Sequence, residues 1–153
     1  MNVDLIQPDA FSADLLAKFF VENVDETYIS EADVEEGRAL EVGRWVGNLD
    51  EVVRGELLST RKQVWLAHEA GTTLGFAIVD NTQEWAVLED IVLVKGGRST
   101  GLGSAVLKRL MACLRHQGHA GMRCECGPAN TRAHEFFQRH GFAPVAVQFK
   151  VTF

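Results

Sequence analysis

The chain has 153 residues, 46% hydrophobic and 24% charged. That fits one soluble globular domain, residues 1–153, with enough core to need no metal or disulfide staple. Its formal net charge of −6 argues against general nucleic-acid binding. No apolar run approaches the roughly 18 residues that read as a membrane span.

In chain order, Val3 to Ile6 reads as a first strand, stopped before Pro8. The stretch carries Asp4 and Asp9 without a basic flank, which does not read as a signal peptide. Ser12 is placed to cap a helix whose apolar face is Leu15, Leu16, Phe19 and Phe20. Ser30 and Asp33 resemble a capping box for a second helix, with Val42, Trp45 and Val46 at i, i+3, i+4 as its buried side. Gly37 and Gly43 interrupt that segment. Asn48 breaks before a third helix bearing Val52, Val53 and Leu57. Gln63 to Glu69 and Leu74 to Asn81 then read as a β-hairpin.

Glu84 to Val94 is the central strand, and Gly101 to Gln117 a helix with Val106, Leu107, Leu110, Met111 and Leu114 at helical spacing. Met122 to Cys126 is a further strand, and Thr131 to His140 a helix ending at Gly141. Val145, Val147, Phe149, Val151 and Phe153 alternate with Ala146, Gln148, Lys150 and Thr152, a period-two pattern for a half-buried final strand. The order predicts an α/β (α+β) fold with a mixed sheet flanked by helices. The exposed edge of the final strand suits pairing with a second copy, a homodimer.

Charge is unevenly spread. Residues 25–56 hold ten acids against three arginines, whereas residues 95–150 hold nine Lys or Arg against Glu125 and Glu135. The basic half suits a ligand with several phosphates and the acidic region a cationic acceptor, with a solvated acidic helix face as the plainer explanation of the latter. The three cysteines are an odd number, and Cys124 and Cys126 lie two apart in a strand. At about 6.6 Å between Cα atoms a disulfide is awkward. Free thiols in a reducing cytoplasm are the expectation, and no metal-ligand spacing is present.

The segment Leu88–Gly103 joins a strand to a glycine-punctuated helix start. A helix start exposes unpaired N–H groups and partial positive charge, and glycine lets a phosphate approach the backbone. Gly101 and Gly103 thus offer a pyrophosphate cradle with Arg98 as a cationic wall. It is neither a Walker loop nor a dinucleotide fingerprint, since no Gly-Lys-Ser/Thr follows and Val106 occupies the third glycine's place.

Arg98-Ser99-Thr100-Gly101-Leu102-Gly103 resembles the R/Q-x-x-G-x-G/A signature of the GNAT superfamily of N-acetyltransferases. Asn130 to Phe142 resembles that family's N-x-x-A-x-x-F-Y-x-x-x-G-F segment. The likeness covers residues 63–153 well, and residues 1–62 only in length and helical character. It implies a mostly antiparallel central sheet, and acetyl-CoA as the donor of an acetyl group passed directly to a primary amine, either a small cationic amine or a lysine or N-terminal amine of a peptide. It implies that the pantetheine arm pairs with the strand end at Val92, Leu93 and Val94, and that the pyrophosphate rests on Arg98, Ser99, Thr100, Gly101, Leu102, Gly103 and Ser104. Asn130 and Phe137 would lie along the pantetheine and thiol, and a backbone N–H near Val92 would serve the oxyanion.

The chain departs from that pattern at Phe137, where many members carry a tyrosine that protonates the leaving thiolate. Gly96-Gly97 also replaces a more usual proline-acid pair. An acceptor ammonium must lose a proton before attack, and a carboxylate can take it. Glu125, Glu89 and Asp90 are the candidate bases, each with a structural ion pair as its plainer role; strict alternation puts Glu89 and Asp90 on opposite faces. Tyr28, His134, His140 and Cys126 are the remaining groups able to hand over a proton or accept an acyl group. The rival to an enzyme is a non-catalytic acyl-CoA-binding sensor with the same fold, and a third reading is a nucleotide-binding module without CoA.

Overall fold

A computed structural model describes all residues, 1–153. Strands β1 (Asn2–Ile6), β4 (Gln63–Glu69), β5 (Thr72–Asp80), β6 (Trp85–Leu93) and β7 (Gly121–Cys124) form one sheet in the order β1-β4-β5-β6-β7. All neighbours are antiparallel except β6 and β7, which are parallel. Parallel neighbours need a crossover, here helix α4 (Leu102–His116). The β4–β5 hairpin turns at Ala70 and Gly71, whose φ values of 48° and 79° suit the mirror-image turns that match strand twist.

Two apolar clusters occupy the two sheet faces. Helices α1 (Ala10–Asn23) and α3 (Leu49–Ser59) bury Leu16, Phe20, Val53 and Leu57 against Val64, Phe76, Ile78 and Val92. Helices α4 and α5 (Thr131–Arg139) bury Leu107, Leu110 and Phe137 against Trp65, Val79 and Leu88. A fully buried Phe or Leu contributes about 1.5–3 kcal/mol.

Three local expectations are corrected. The N-cap of α1 is Asp9, not Ser12; Ser12 is N3 of a reciprocal capping box. The second helix, α2, covers only Glu31–Glu35, with the capping box at Ser30 and Asp33 formed. Residues 39–45, read as its continuation, form the hairpin β2 (Ala39–Glu41) and β3 (Arg44–Trp45), which sets Trp45 against Phe20 at 5.8 Å between ring centroids. Finally, residues 143–153 belong to no strand. Their alternation is intact, but no neighbouring strand pairs with them.

One irregularity shapes the open end of the sheet. Between Ile78↔Asp90 and Val79↔Leu88 the β5–β6 register shifts, leaving Glu89 as an extra residue on β6. A bulge bends and twists its strand. The parity of the side chains also changes across it: Leu88 joins the α4 cluster whereas Val92 joins the α1 cluster. The pairing of β6 with β7 ends at Leu88↔Cys124, just at the bulge. Beyond it the β7-facing edge of Glu89–Leu93 has no strand partner, so the two strands part like a wedge.

Candidate active site

The wedge opens into a cavity of about 2290 Å³. Of the residues expected from sequence, it is lined by Val92 and Leu93 from β6, by Arg98, Ser99, Gly101, Gly103 and Ser104 from the loop and α4, and by Asn130 and Phe137 from α5. Glu89, Asp90 and Glu125 also reach it, whereas Val94, Thr100 and Leu102 do not line it.

The edge of β6 presents different groups from those expected. Val94 N–H donates to the Leu74 carbonyl at 2.9 Å, and the Val94 carbonyl accepts from Gly97 N–H at 2.9 Å. A Cβ on Gly75 would lie 2.5 Å from the Val92 carbonyl oxygen, so that carbonyl faces β5. Alternation of main-chain groups then turns Ile91 and Leu93, not Val92 and Val94, toward the open side.

At the start of α4, Gly101 adopts φ +85° as the N-cap. The first main-chain N–H of this turn with a protein acceptor is that of Ala105, which donates to Gly101 carbonyl. The N–H groups of Gly101, Leu102, Gly103 and Ser104 donate to nothing in the chain. Nothing lies within 4 Å of where a Gly101 Cβ would stand, so the turn is open. Helix-terminal amides of this kind, with the dipole behind them, suit an anion. Gly103 is small for another reason: its Cβ would lie 3.1 Å from both Leu93 Cδ1 and Phe136 Cε2. It lets α4 approach β6 and α5.

The loop before α4 is held by Asn23, which sequence reading passed over. Its Oδ1 accepts from Lys95 N–H at 2.9 Å, its Nδ2 donates to the Phe19 carbonyl, and Arg98 donates to its carbonyl at 2.6 Å. A polar residue three after Phe20 on the buried stripe of α1 was the available clue.

The three candidate bases are differently engaged. Asp90 receives two hydrogen bonds from Arg38, each 2.9 Å, and one from Tyr28 Oη at 2.6 Å. Arg38 also meets Asp33 and Glu56. Burial would lower the Arg38 guanidinium, but the charge of Asp90 and the bonds it donates to Asp90 and Glu56 outweigh it and raise it. Burial, then the Asp90 charge, holds the Tyr28 phenol well above its usual range, so Tyr28 keeps its proton. Glu89 is paired with Lys62 at 2.5 Å. Glu125 is exposed, lines the cavity and enters no ion pair or hydrogen bond.

Phe137 is 7% exposed, packed edge-on against Phe136 and at a tilt against Phe142. The two histidines of its helix are engaged with main-chain carbonyls, His134 with Gly127 and His140 with Phe136. Asn130 caps α5 through Ala133 N–H. The neighbouring thiol lowers Cys126 and raises Cys124, and burial adds to the latter. No grouping of residues has metal-ligand geometry, and no helix is long and apolar enough to cross a membrane.

A parallel strand pair parts around an open helix start, the arrangement expected from the resemblance of these segments to the GNAT motifs. The model of the acetyltransferase (GNAT) family matches residues 20–142, and the chain belongs to that family. Acetyl-CoA is the cofactor of its acetyltransferases. Solved structures agree on the fold. The putative acetyltransferase YycN from Bacillus subtilis is 14% identical with TM-score 0.67, over 99% of each chain. A ribosomal-protein-alanine N-acetyltransferase from Brucella melitensis biovar Abortus 2308 is 14% identical with TM-score 0.69, over 99% of this chain and 100% of that one. The aminoglycoside N-acetyltransferase AAC(6')-Iy, in complex with CoA, is 20% identical with TM-score 0.57, over 81% of this chain and 91% of that one. No curated protein matches the chain by sequence.

Proposed function

We propose that the protein moves an acetyl group from acetyl-CoA directly to a cationic primary amine, either a small molecule or the lysine or N-terminal amine of a peptide. The observation that carries this reading is the run of unpartnered N–H groups from Gly101 to Ser104 beside an unpaired strand edge. Open space at Gly101 fits a diphosphate there, with Arg98 alongside. The edge of Ile91 and Leu93 aligns the amide-bearing arm as a neighbouring strand would be aligned, and Asn130 stands along the opposite wall. Acetyl-CoA supplies the activated thioester.

The remaining work falls to the chain. Asp25, Asp33, Glu31, Glu35 and Glu36 line the cavity, and this negative wall favours an ammonium. Glu125, the one candidate carboxylate without a cation, takes the proton from the amine, directly or through a water. Open-edge N–H groups of β6 donate to the acyl oxygen as negative charge develops there, an effect worth about 3 kcal/mol. Water reaching the wide cavity returns a proton to the departing sulfur, since Phe137 has none to give. The two named acetyltransferases among the structural neighbours act on amine-bearing acceptors by their descriptions, a ribosomal protein's alanine and an aminoglycoside.

The sensor alternative rests on Phe137, a buried ring where a proton donor would assist turnover. Calorimetry with CoA, followed by thiol release across an amine panel, separates the two. The enzyme gives heat and release, and Glu125→Gln slows release by about 10²-fold or more with CoA affinity unchanged. Heat without release from any amine assigns the sensor. No heat with CoA overturns both, and unchanged release in Glu125→Gln removes that residue as base.

A further inference from the structure

Two of the three cysteines have no part in the transfer chemistry and yet stand beside it. Cys124 closes β7, and its pairing with Leu88 is the last before β6 and β7 part. Cys126 lies two residues further on. Both are half-buried, both border the α4–α5 cluster, and both line the large cavity. Cys113, on α4, is half-buried too but lines no part of that cavity. The fold thus sets a pair of thiols at the narrow end of the wedge and keeps the third away from it.

The pair is chemically unequal. The adjoining Cys124 thiol holds Cys126 below its usual range, against burial and the charge of Glu125. Cys124 itself is raised by Cys126 and by burial. The proton of the pair stays with Cys124, and Cys126 is the sulfur that reaches the thiolate state, the form that attacks. A thiolate needs an electrophile, and the same cavity is the space proposed for a ligand that ends in sulfur. With its diphosphate on the amides of residues 101–104, an arm laid along β6 from Leu93 back to Glu89 covers four residues, about 13 Å. Its sulfur then arrives at the narrow end, beside the cysteines.

The geometry points to Cys126 as a modification site for the disulfide of coenzyme A, guided there by the cradle. The inference rests on the reading that CoA occupies the wedge. The step is thiol–disulfide exchange. The Cys126 thiolate attacks one sulfur of the CoA disulfide, and the bond between the two CoA sulfurs breaks as the bond from Cys126 forms. The electron pair leaves on the second CoA sulfur, which takes a proton from water and departs through the open mouth as free CoA. Cys126 is oxidised and the departing CoA reduced, so the disulfide is the only oxidant required. The product, a mixed disulfide of Cys126 and CoA, keeps its diphosphate in the cradle and fills the donor site. An oxidised CoA pool thereby closes the site, and a reducing thiol reopens it.

Intact-mass kinetics on the reduced full chain test this. With the symmetric CoA disulfide, the 16.9 kDa chain is expected to gain one CoA, located on Cys126 by peptide mass. Tethering in the cradle makes that reaction at least about tenfold faster than with glutathione disulfide at equal concentration, and excess acetyl-CoA slows it by at least about tenfold. Dithiothreitol restores the parent mass, and Cys126→Ser abolishes the adduct whereas Cys113→Ser keeps it. Peptide mapping and rates on the unaltered chain decide the matter even if a variant fails to fold. An adduct on Cys113 or Cys124 overturns the proposal, as does a rate equal to that with glutathione disulfide, or no slowing by acetyl-CoA. Calorimetry with CoA on the reduced chain separates the two readings. Heat without an adduct overturns this inference and leaves CoA binding intact, whereas absence of heat removes the cradle on which both stand.

Discussion

Arg38 carries its charge into the interior, where Asp33, Glu56 and Asp90 meet it and Phe20 lies beneath the guanidinium at 5.1 Å. Asp33 and Asp90 are 5% and 4% exposed, so the cation is their compensation for lost water. Arg38→Met leaves both carboxylates buried and unpaired, at a cost of about 3–5 kcal/mol in urea unfolding; a loss below about 1 kcal/mol would show the cluster to be incidental. The pH dependence has a definite sign. Burial already raises Asp33, and without Arg38 that carboxyl binds its proton more tightly folded than unfolded. Stability of the variant then falls as pH rises from the unfolded carboxyl value toward the raised folded one, so its deficit shrinks on acidification. The sequence showed Arg38 only as one cation in an acidic stretch, because contacts with Glu56 and Asp90 span 18 and 52 residues and leave no local pattern.

At the scale of elements, the legible parts were those whose periodicity matches their burial. Helices α1, α3, α4 and α5 and the β4–β5 hairpin lie close to where spacing put them. The failures have local causes. Val42, Trp45 and Val46 have helical spacing, but Gly37 and Gly43 take φ values of 82° and 98° and bend the chain into a hairpin. Strict alternation along β6 missed the extra residue at Glu89, whereas the placing of Val92 and Val94 at the open edge came from the family resemblance. The two glycines at α4 were read alike and serve differently, which a pair of substitutions separates in the ligand-free protein. Gly101→Ala meets no neighbour but must hold a left-handed conformation, at about 1–2 kcal/mol. Gly103→Val must displace Leu93 and Phe136, and overpacking of that sort costs about 1–3 kcal/mol. Thermal melts should show both losses, with α4 displaced in Gly103→Val alone by its amide exchange. A Gly103→Val protein as stable as the parent would refute the packing role.

For the whole molecule, the division of charge read from sequence becomes spatial. The acidic stretch and the start of α4 line the same cavity, so on the proposed reading a polyanion and a cationic acceptor approach different walls of one space. Long-range attraction by the nine cations of residues 95–150 is screened by salt. CoA affinity should therefore fall by about threefold or more between about 50 and 500 mM NaCl, as titration calorimetry would record, and salt-independent affinity would confine recognition to the amides alone. The bulge at Glu89 has a wider consequence. The gap it starts is cut by the course of the backbone, and no particular side chain has to hold it open. If the proposed reaction takes place there, residues along its rim can change in size and charge while its position stays fixed, which leaves a lineage free to alter what it acts upon without rebuilding where it acts.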